Sequence, residues 1–361
     1  MKEERIRRVL EGMKEAGVGQ LLLTDPMAIY YLTDKWLLPG ERMYGLYLHA
    51  DGTRRMIINE LFPAKEEPGT EILWYSDTQD SMELLYPLLD QNAVLGVDKN
   101  MPARFLLRLM ELWENGRFVN GSWIVDRVRQ IKDEEEIRRM REVSAINDIV
   151  GKELWEQVGS GKSEEELARV CEQLQKKHGC EGVSFEAIIA FGANCADPHH
   201  ANDATVGRRG DSVVLDIGGR KDSYCSDMTR TVFLGEVSEE ARNVYEIVLE
   251  ANLRGIAAAK PGARFCDVDH AARSYIEEMG YGPYFTHRTG HGIGLECHEA
   301  GDVSSVNTAV LKPGMCFSVE PGIYLPGKFG VRIEDLVLIT EDGCEVLNHQ
   351  DKSLRIIPLE G

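Results

Sequence analysis

The sequence is poor in cysteine, contains no long apolar run and has fewer basic than acidic residues. Only eight cysteines occur in 361 residues, and none of them forms a CxxC pair. No apolar stretch approaches the roughly 20 residues that cross a bilayer, and none follows a basic start as in a secretion signal. These absences argue against a disulfide framework and a membrane protein, and they favour a reduced, cytoplasmic setting.

The charge balance is strongly acidic. There are 41 basic and 60 acidic residues, a formal net charge of −19. Such a surface repels nucleic-acid phosphates and anionic lipids, so neither is expected as a partner. With 43% hydrophobic and 28% charged residues, the chain has the composition of a folded globular protein and not of a disordered one.

The length predicts two domains, at roughly 150 residues per domain. Helix and strand patterns alternate through the first third, beginning with an amphipathic helix at Glu4–Ala16 and an apolar run at Leu21–Leu23. This alternation predicts an N-terminal α/β domain over residues 1–128. The acidic segment Asp133–Glu136 then opens a long helix, and a second domain is predicted over residues 129–361.

One segment of the second domain imitates a nucleotide-binding loop. Gly159–Ser163 has the sequence GSGKS, the end of a phosphate-binding motif, but Glu156 stands where that motif needs glycine. Ser163 and Glu166 instead have the spacing of a capping box. The segment therefore predicts the start of a helix.

Two aspartates lie on neighbouring predicted strands. Val213–Ile217 is a buried strand pattern that contains Asp216, and Ser226–Phe233 is a returning strand pattern that contains Asp227. A hairpin between them brings the two carboxylates together. Either aspartate alone is more typical of a turn or a helix cap. Because a buried carboxylate is costly unless it is paired or metal-bound, two on adjoining strands favour a metal site.

Three further candidate ligands follow in the same half of the chain. His291 lies among glycines, Glu320 ends one apolar strand pattern and Glu334 lies within another. Four converging carboxylates would repel one another, and two divalent cations would cancel their charge. Oxygen-rich ligands with one imidazole make manganese the expected metal, with cobalt, iron and zinc as alternatives. Such a pair activates water and polarises a carbonyl, so the residues predict metal-assisted hydrolysis.

The motifs resemble those of a known family. The order of the five candidate ligands, the spacing between the two aspartates and the strings SDMTRT, GHGIGLECHE and EPGIY are similar to those of the pita-bread metallopeptidases. This family includes methionine aminopeptidase, prolidase and aminopeptidase P. The resemblance covers the whole chain and implies an α+β protein. Its C-terminal domain would be a curved antiparallel sheet covered by helices, and its N-terminal α/β domain would be of the creatinase/prolidase type, which methionine aminopeptidases usually lack.

The resemblance implies a role for each candidate ligand and for two histidines. Asp216 would chelate one metal, His291 and Glu320 would hold the other, and two carboxylates would bridge the metals: Asp227 and Glu334. Glu320 would also shuttle a proton. His199 would steady the tetrahedral intermediate or the leaving nitrogen, and His298 would contact the scissile carbonyl and the proline side of the substrate.

Other assignments concern the surroundings of the metals. Tyr224 is expected to line the pocket, and Arg332 to bind substrate or orient the carboxylates from behind. His200 has no counterpart in the family motif and is expected to be solvated. Gly301 departs from the family pattern, which commonly has proline at this position.

The resemblance implies a dinuclear metallopeptidase that cleaves Xaa-Pro bonds at the N-terminus of dipeptides or short peptides through a metal-bridging hydroxide. Xaa-Pro dipeptidase and Xaa-Pro aminopeptidase both remain open. A dipeptidase must bind the proline carboxylate, for which an arginine is suited, whereas an aminopeptidase must leave that side open. The alternative is a non-enzymatic or creatinase-like relative that uses the fold as a binding module, and it predicts lost metal ligands. The family usually forms homodimers.

Overall fold

The chain divides into two units, Met1–Arg129 and Gln130–Gly361, and each combines helices with β-structure. The computed structural model describes residues 1–66 and 68–359. The mixed α+β class predicted from the sequence is confirmed.

The first unit is built on one six-stranded mixed sheet with the strand order β4-β3-β2-β1-β5-β6. The central strand β1 is buried at all four positions, as its apolar run predicts. It pairs antiparallel with β2 and parallel with β5. The helices are α1 (Glu3–Ala16), α2 (Pro26–Thr33), α3 (Ser81–Leu85), α4 (Ala103–Leu112) and α5 (Ser122–Gln130), and the strands are β1 (Gln20–Leu23), β2 (Gly45–His49), β3 (Arg54–Asn59), β4 (Glu71–Tyr75), β5 (Leu95–Val97) and β6 (Phe118–Asn120).

Three helices of the second unit begin at capping residues that can be recognised in the sequence. Asp133 and Ser163 each form a capping box with the glutamate three residues on, and Ser238 accepts a hydrogen bond from the backbone N–H of Ala241. These side chains satisfy N–H groups that have no partner within the helix. The helices are α6 (Glu134–Val158), α7 (Glu164–Lys177), α8 (Glu239–Ala258) and α9 (Phe265–Glu278).

The strands of the second unit form several small sheets in the described part of the chain. A four-stranded sheet has the order β20-β12-β9-β8, a five-stranded sheet has the order β14-β13-β15-β18-β19, and β16 pairs with β17. The strands are β7 (Gly182–Val183), β8 (Ile188–Phe191), β9 (Ser212–Ile217), β10 (Gly219–Lys221), β11 (Tyr224–Cys225), β12 (Met228–Leu234), β13 (Gly290–Gly292), β14 (Glu299–Val303), β15 (Cys316–Val319), β16 (Gly322–Leu325), β17 (Phe329–Arg332), β18 (Asp335–Ile339), β19 (Cys344–Val346) and β20 (Ile356–Ile357).

Two pairs of helices cover these sheets. The apolar faces of α6 and α7 pack on β8, β9 and β12 through residues such as Val150, Leu167 and Leu215. Helices α8 and α9 share a second buried cluster with strands β16 and β17, to which Val248 and Ile323 belong. The packing leaves the carboxyl-bearing strand ends facing a common cavity.

Two sequence-based expectations concern the chain as a whole. Among residues 1–66 and 68–359, no helix has the length and apolarity needed to span a bilayer. All eight cysteines lie in this described part, and none of them is in a disulfide.

Candidate metal centre

The first two carboxylates lie on a β-hairpin, as the sequence predicts. Asp216 on β9 is the antiparallel partner of Thr229 on β12, and Asp227 directly precedes β12. Asp216 Oδ2 accepts a hydrogen bond of 2.7 Å from Arg332 Nη2. Asp227 Oδ2 accepts one of 3.2 Å from the Cys297 thiol. Each aspartate therefore has one oxygen held by the protein.

Glycines make room for His291 on β13. A Cβ atom at Gly290 would overlap the carbonyl oxygen of Ser318 on the neighbouring strand, so this close approach requires glycine. His291 Nδ1 donates to the carbonyl oxygen of Gly292 at 3.1 Å. This bond leaves the lone pair on Nε2, which is the tautomer that binds a metal.

The two glutamates lie at the ends of other strands. Glu320 follows β15, and its Oε1 accepts a hydrogen bond of 3.1 Å from the Ser318 hydroxyl. Glu334 lies between β17 and β18, and its Oε2 accepts one of 2.7 Å from the Thr229 hydroxyl. His291 Nε2 lies 3.4 Å from Glu320 Oε1 and 3.6 Å from Asp227 Oδ2. The structure thus brings the carboxylates and the imidazole together.

The donor set fits a metal. One carboxylate oxygen on each of three buried residues has no hydrogen-bond partner within the described part of the chain: Asp216 Oδ1, Asp227 Oδ1 and Glu334 Oε1. Ligand atoms of Asp227, His291 and Glu334 lie within 4.8 Å of one another. Buried carboxylate oxygens without partners are costly, and a cation relieves this cost by supplying both a ligand and opposite charge.

The electrostatics show the same excess of negative charge. Burial and the neighbouring charges of Asp216 and Glu320 raise the pKa of Asp227 well above its usual value. Burial, followed by the charge of Asp227, does the same to the pKa of Glu334. Burial lowers the pKa of His291 to about 4, so its imidazole is neutral at pH 7. A neutral imidazole does not offset the carboxylates, whereas divalent cations do.

These residues line a cavity of about 440 Å³. This volume is within the usual range for small-ligand sites. His298 lies on its wall with its ring centroid 4.1 Å from that of His291, and His199 is exposed on another side. The lining residues are Phe185, Glu186, Ile188, Pro198, His199, Asp216, Asp227, His287, Arg288, His291, Cys297, His298, Glu320, Arg332 and Glu334.

Two expectations about neighbouring residues are wrong. Tyr224 is not among the described residues that line the cavity, because its hydroxyl turns away and donates to Glu136 on α6 at 2.8 Å. His200 is not solvated, since its side chain is only 13% exposed and its Nε2 bonds to buried Glu164 at 2.7 Å. Both partners are distant in sequence, so the local motifs carry no signal for them.

Arg332 lines the cavity and donates four of its five N–H groups to the protein. Its Nε donates to Thr229 Oγ1, its Nη1 to Tyr324 and to the Pro198 carbonyl, and its Nη2 to Asp216. The arginine therefore holds Asp216 in place and has no fork of N–H groups left for a substrate carboxylate. Of its two expected roles, the structure supports orientation of the carboxylates.

Sequence reasoning missed a hydrogen-bonded pair in the wall of the cavity, His287 and Tyr324. His287 lines the cavity, and its Nε2 accepts a hydrogen bond of 2.8 Å from the Tyr324 hydroxyl. The same hydroxyl accepts from Arg332 at 3.0 Å, and His287 Nδ1 donates to the Arg288 carbonyl at 2.7 Å. Tyr324 belongs to the EPGIY string, which is the one signal in the sequence that could have pointed to this network.

The backbone conformation at Gly301 excludes the proline that the family commonly has at this position. Gly301 lies on β14 with a φ of 119°. Proline is locked near −65° and cannot adopt this conformation. The strand beside the cavity therefore follows a path that the proline common in the family would not allow.

Comparison with known proteins identifies the family. The sequence model of Metallopeptidase family M24 matches residues 138–341. The chain belongs to metallopeptidase family M24. The model of the Creatinase/Prolidase N-terminal domain matches residues 5–131 of this M24 member. The predicted family and the predicted fold, a catalytic domain preceded by a creatinase-type domain, are thereby confirmed.

Relatives match this M24 member over nearly their full length. An uncharacterized peptidase of Staphylococcus aureus strain MSSA476 is 36% identical over 351 residues, 96% of this chain and 99% of the relative. A prolidase from Thermococcus sibiricus superposes with a TM-score of 0.91 at 35% identity, covering 99% of each chain. An Xaa-Pro dipeptidase from Bacillus anthracis superposes with a TM-score of 0.89 at 33% identity, covering 99% of this chain and 100% of that one.

Manganese is expected to raise the Tm of the metal-free protein, because a ligand that binds only the folded state stabilises it by mass action, by about 2.7 kcal/mol at a hundredfold excess over Kd. His291→Ala should lose most of this shift, since it removes the imidazole ligand. His270→Ala is the matched control, because His270 is exposed on α9. Calorimetry with and without the metal measures the effect, and an undiminished shift in His291→Ala would contradict the assignment.

Proposed function

We propose that this protein is an Xaa-Pro dipeptidase that hydrolyses the bond between the N-terminal residue and proline with the help of two divalent cations. The observation that carries the proposal is the convergence of four carboxylates and one neutral imidazole in a cavity of about 440 Å³. The similar structures are named as a prolidase and an Xaa-Pro dipeptidase, which supports this substrate class. Manganese, a homodimer and a cytoplasmic location remain predictions.

Five residues are proposed to hold the cations. Asp216 would hold one, His291 and Glu320 would hold the other, and Asp227 and Glu334 would be shared between the two. The unpartnered oxygens of Asp216, Asp227 and Glu334 support this division, since each has an electron pair without a hydrogen-bond donor. When bound, two such cations polarise the scissile carbonyl and lower the pKa of water toward neutrality.

Glu320 is proposed as the proton carrier. It accepts a proton from the attacking water and delivers it to the proline nitrogen as the peptide bond breaks. Within the described part of the chain, its carboxylate accepts one hydrogen bond, from the Ser318 hydroxyl, which orients the carboxylate while leaving acceptor capacity.

Two cavity-wall histidines are proposed to bind the reacting amide. Desolvation lowers the pKa of His298 to about 4, so at pH 7 its neutral ring offers one N–H donor, here assigned to the scissile carbonyl. His199 lies on the wall at the end of the Pro198 segment and is assigned to the developing charge on the carbonyl oxygen or to the leaving nitrogen. Donors placed where charge develops favour the transition state over the substrate.

Arg288 is proposed to select dipeptides. Proline lacks an amide N–H and has a fixed φ, so the free carboxylate is the strongest handle on that side of the substrate. Arg288 lines the cavity with its side chain 38% exposed, and it pairs with Asp302, which is 54% exposed. Exposed ion pairs contribute little free energy, so a substrate carboxylate can replace Asp302 at small cost.

The alternative, a non-enzymatic or creatinase-like relative, has less support. It predicts the loss of metal ligands, whereas all five positions carry a ligating residue and their side chains converge. No observation in the described residues favours it over a peptidase.

Glu320→Gln is expected to lower kcat for Ala-Pro in manganese by about 10²–10⁴-fold, because the amide cannot accept the proton. Glu250→Gln is the control, since Glu250 is a half-buried residue of α8 that pairs with Arg254. Steady-state kinetics with metal analysis of each variant provide the measurement. A kcat within threefold of wild type at full metal content would rule out the proton-carrier role.

Arg288→Ala is expected to raise KM for Ala-Pro at least tenfold, since a charge-assisted hydrogen bond contributes about 1.5–3 kcal/mol. Asp302→Asn frees the arginine from its partner and should leave KM at or below the wild-type value. Competition between Ala-Pro and Ala-Pro-Ala measures selectivity. Equal turnover of both peptides by wild type, unaffected by Arg288→Ala, would instead identify an aminopeptidase.

A further inference from the structure

A fully buried carboxylate outside the metal centre organises the segment that carries His199. Glu164 is the first residue of α7 and is 0% exposed. Its Oε1 accepts hydrogen bonds of 2.9 Å from the Phe191 N–H and the Asn194 side chain. Its Oε2 accepts one of 2.7 Å from His200 Nε2 and one of 3.1 Å from the Asp203 N–H.

One donor, Phe191, is the last residue of β8, and the other three belong to the connection between β8 and β9. Apart from one short 3₁₀ turn at Gly192–Ala196, residues 192–205 have no helix or strand to hold their backbone. A carboxylate accepts about four hydrogen bonds, and Glu164 uses all of this capacity on this one segment. The positive N-terminus of α7 further favours its charge.

His199 lies between two anchors in this segment. On one side, the Pro198 carbonyl accepts a hydrogen bond of 3.1 Å from Arg332, which also holds Asp216. On the other side, His200 bonds to Glu164. His199 itself is exposed, and its backbone N–H donates to Asp197 Oδ1. Its position over the cavity therefore depends on its two neighbours.

We propose that Glu164 and His200 are positioning residues for His199, an inference that rests on the proposed function of the cavity. The Glu164–His200 bond fixes the C-terminal side of His199, and the Arg332–Pro198 bond fixes the N-terminal side. His199 thereby meets the substrate amide without having to order its own backbone during the reaction, which lowers the entropic cost of the transition state.

A cation site is the other chemistry that this cluster suggests, because ligand atoms of Glu164, His200 and Asp203 also lie close together. The hydrogen bonds argue against it. Both oxygens of Glu164 already face N–H donors, whose positive ends repel a cation. The cluster therefore holds the segment through hydrogen bonds.

The test compares His200→Ala with His200→Gln, whose side-chain nitrogen can donate to Glu164 as the imidazole Nε2 does. His200→Ala is expected to lower kcat for Ala-Pro at least tenfold with metal content unchanged, and His200→Gln is expected to restore most of it. His178→Ala is the matched control, because His178 also bonds to a glutamate, Glu153, at 2.8 Å on a different part of the chain.

A double-mutant cycle separates positioning from general stability. In a His199→Ala background, His200→Ala should change kcat less than twofold, because no catalytic imidazole is left to position. Full additivity of the two losses would overturn the inference. Glu164→Gln replaces one of the two acceptor oxygens by an NH2 donor and is expected to lower both kcat and Tm, so the His200 variants decide the question.

Amide hydrogen exchange tests the anchor without any substrate. Exchange in residues 191–203 should accelerate in His200→Ala and return toward wild type in His200→Gln. Unchanged exchange in His200→Ala would overturn the anchor. If the wild type fails to cleave Ala-Pro but the two His200 variants show the expected changes in exchange, the proposed function is contradicted and the anchor stands.

Discussion

The concentration of negative charge in one buried cavity is the constraint on which the second unit depends. Asp227 and Glu334 are almost completely buried, and each keeps a carboxylate oxygen without a hydrogen-bond donor in the described structure. Arg332 compensates Asp216 directly, while Arg230 and Lys352 both pair with Asp335, at 2.7 Å each. The protein's own cations therefore leave the cavity strongly negative, and binding of divalent metal is the physical resolution.

The same constraint explains how the walls of the cavity are built. Arg332 connects the metal centre to the Pro198 carbonyl and to the Tyr324–His287 pair, so one guanidinium orients a ligand and two wall segments. Glu164 holds the C-terminal side of His199 through its hydrogen bond with His200. Both are buried charged side chains held by four hydrogen bonds each, and such networks give buried groups a fixed geometry.

Much of this arrangement could be predicted from local sequence patterns. Capping boxes at Asp133 and Ser163 mark helix starts, and apolar strands interrupted by Asp216 or ended by Glu320 mark the carboxylates, because a buried carboxylate is costly unless it is paired or metal-bound. The Glu164–His200 bond and the direction of Tyr224 could not be predicted, since they join residues 36 and 88 positions apart. Such contacts depend on how distant parts of the chain pack together, for which neither hydrophobic periodicity nor turn chemistry supplies a signal. Gly301 shows the same limit, because its φ of 119° is a property of the folded strand.

Metal stoichiometry tests the central claim most directly. The protein is stripped of metal, loaded with manganese, freed of excess ion and analysed for bound metal per chain alongside Ala-Pro hydrolysis. The charge argument predicts two ions per chain, no hydrolysis in the stripped protein, and recovery of activity as the ions return. Full Ala-Pro hydrolysis by protein that elemental analysis shows to be metal-free would contradict it.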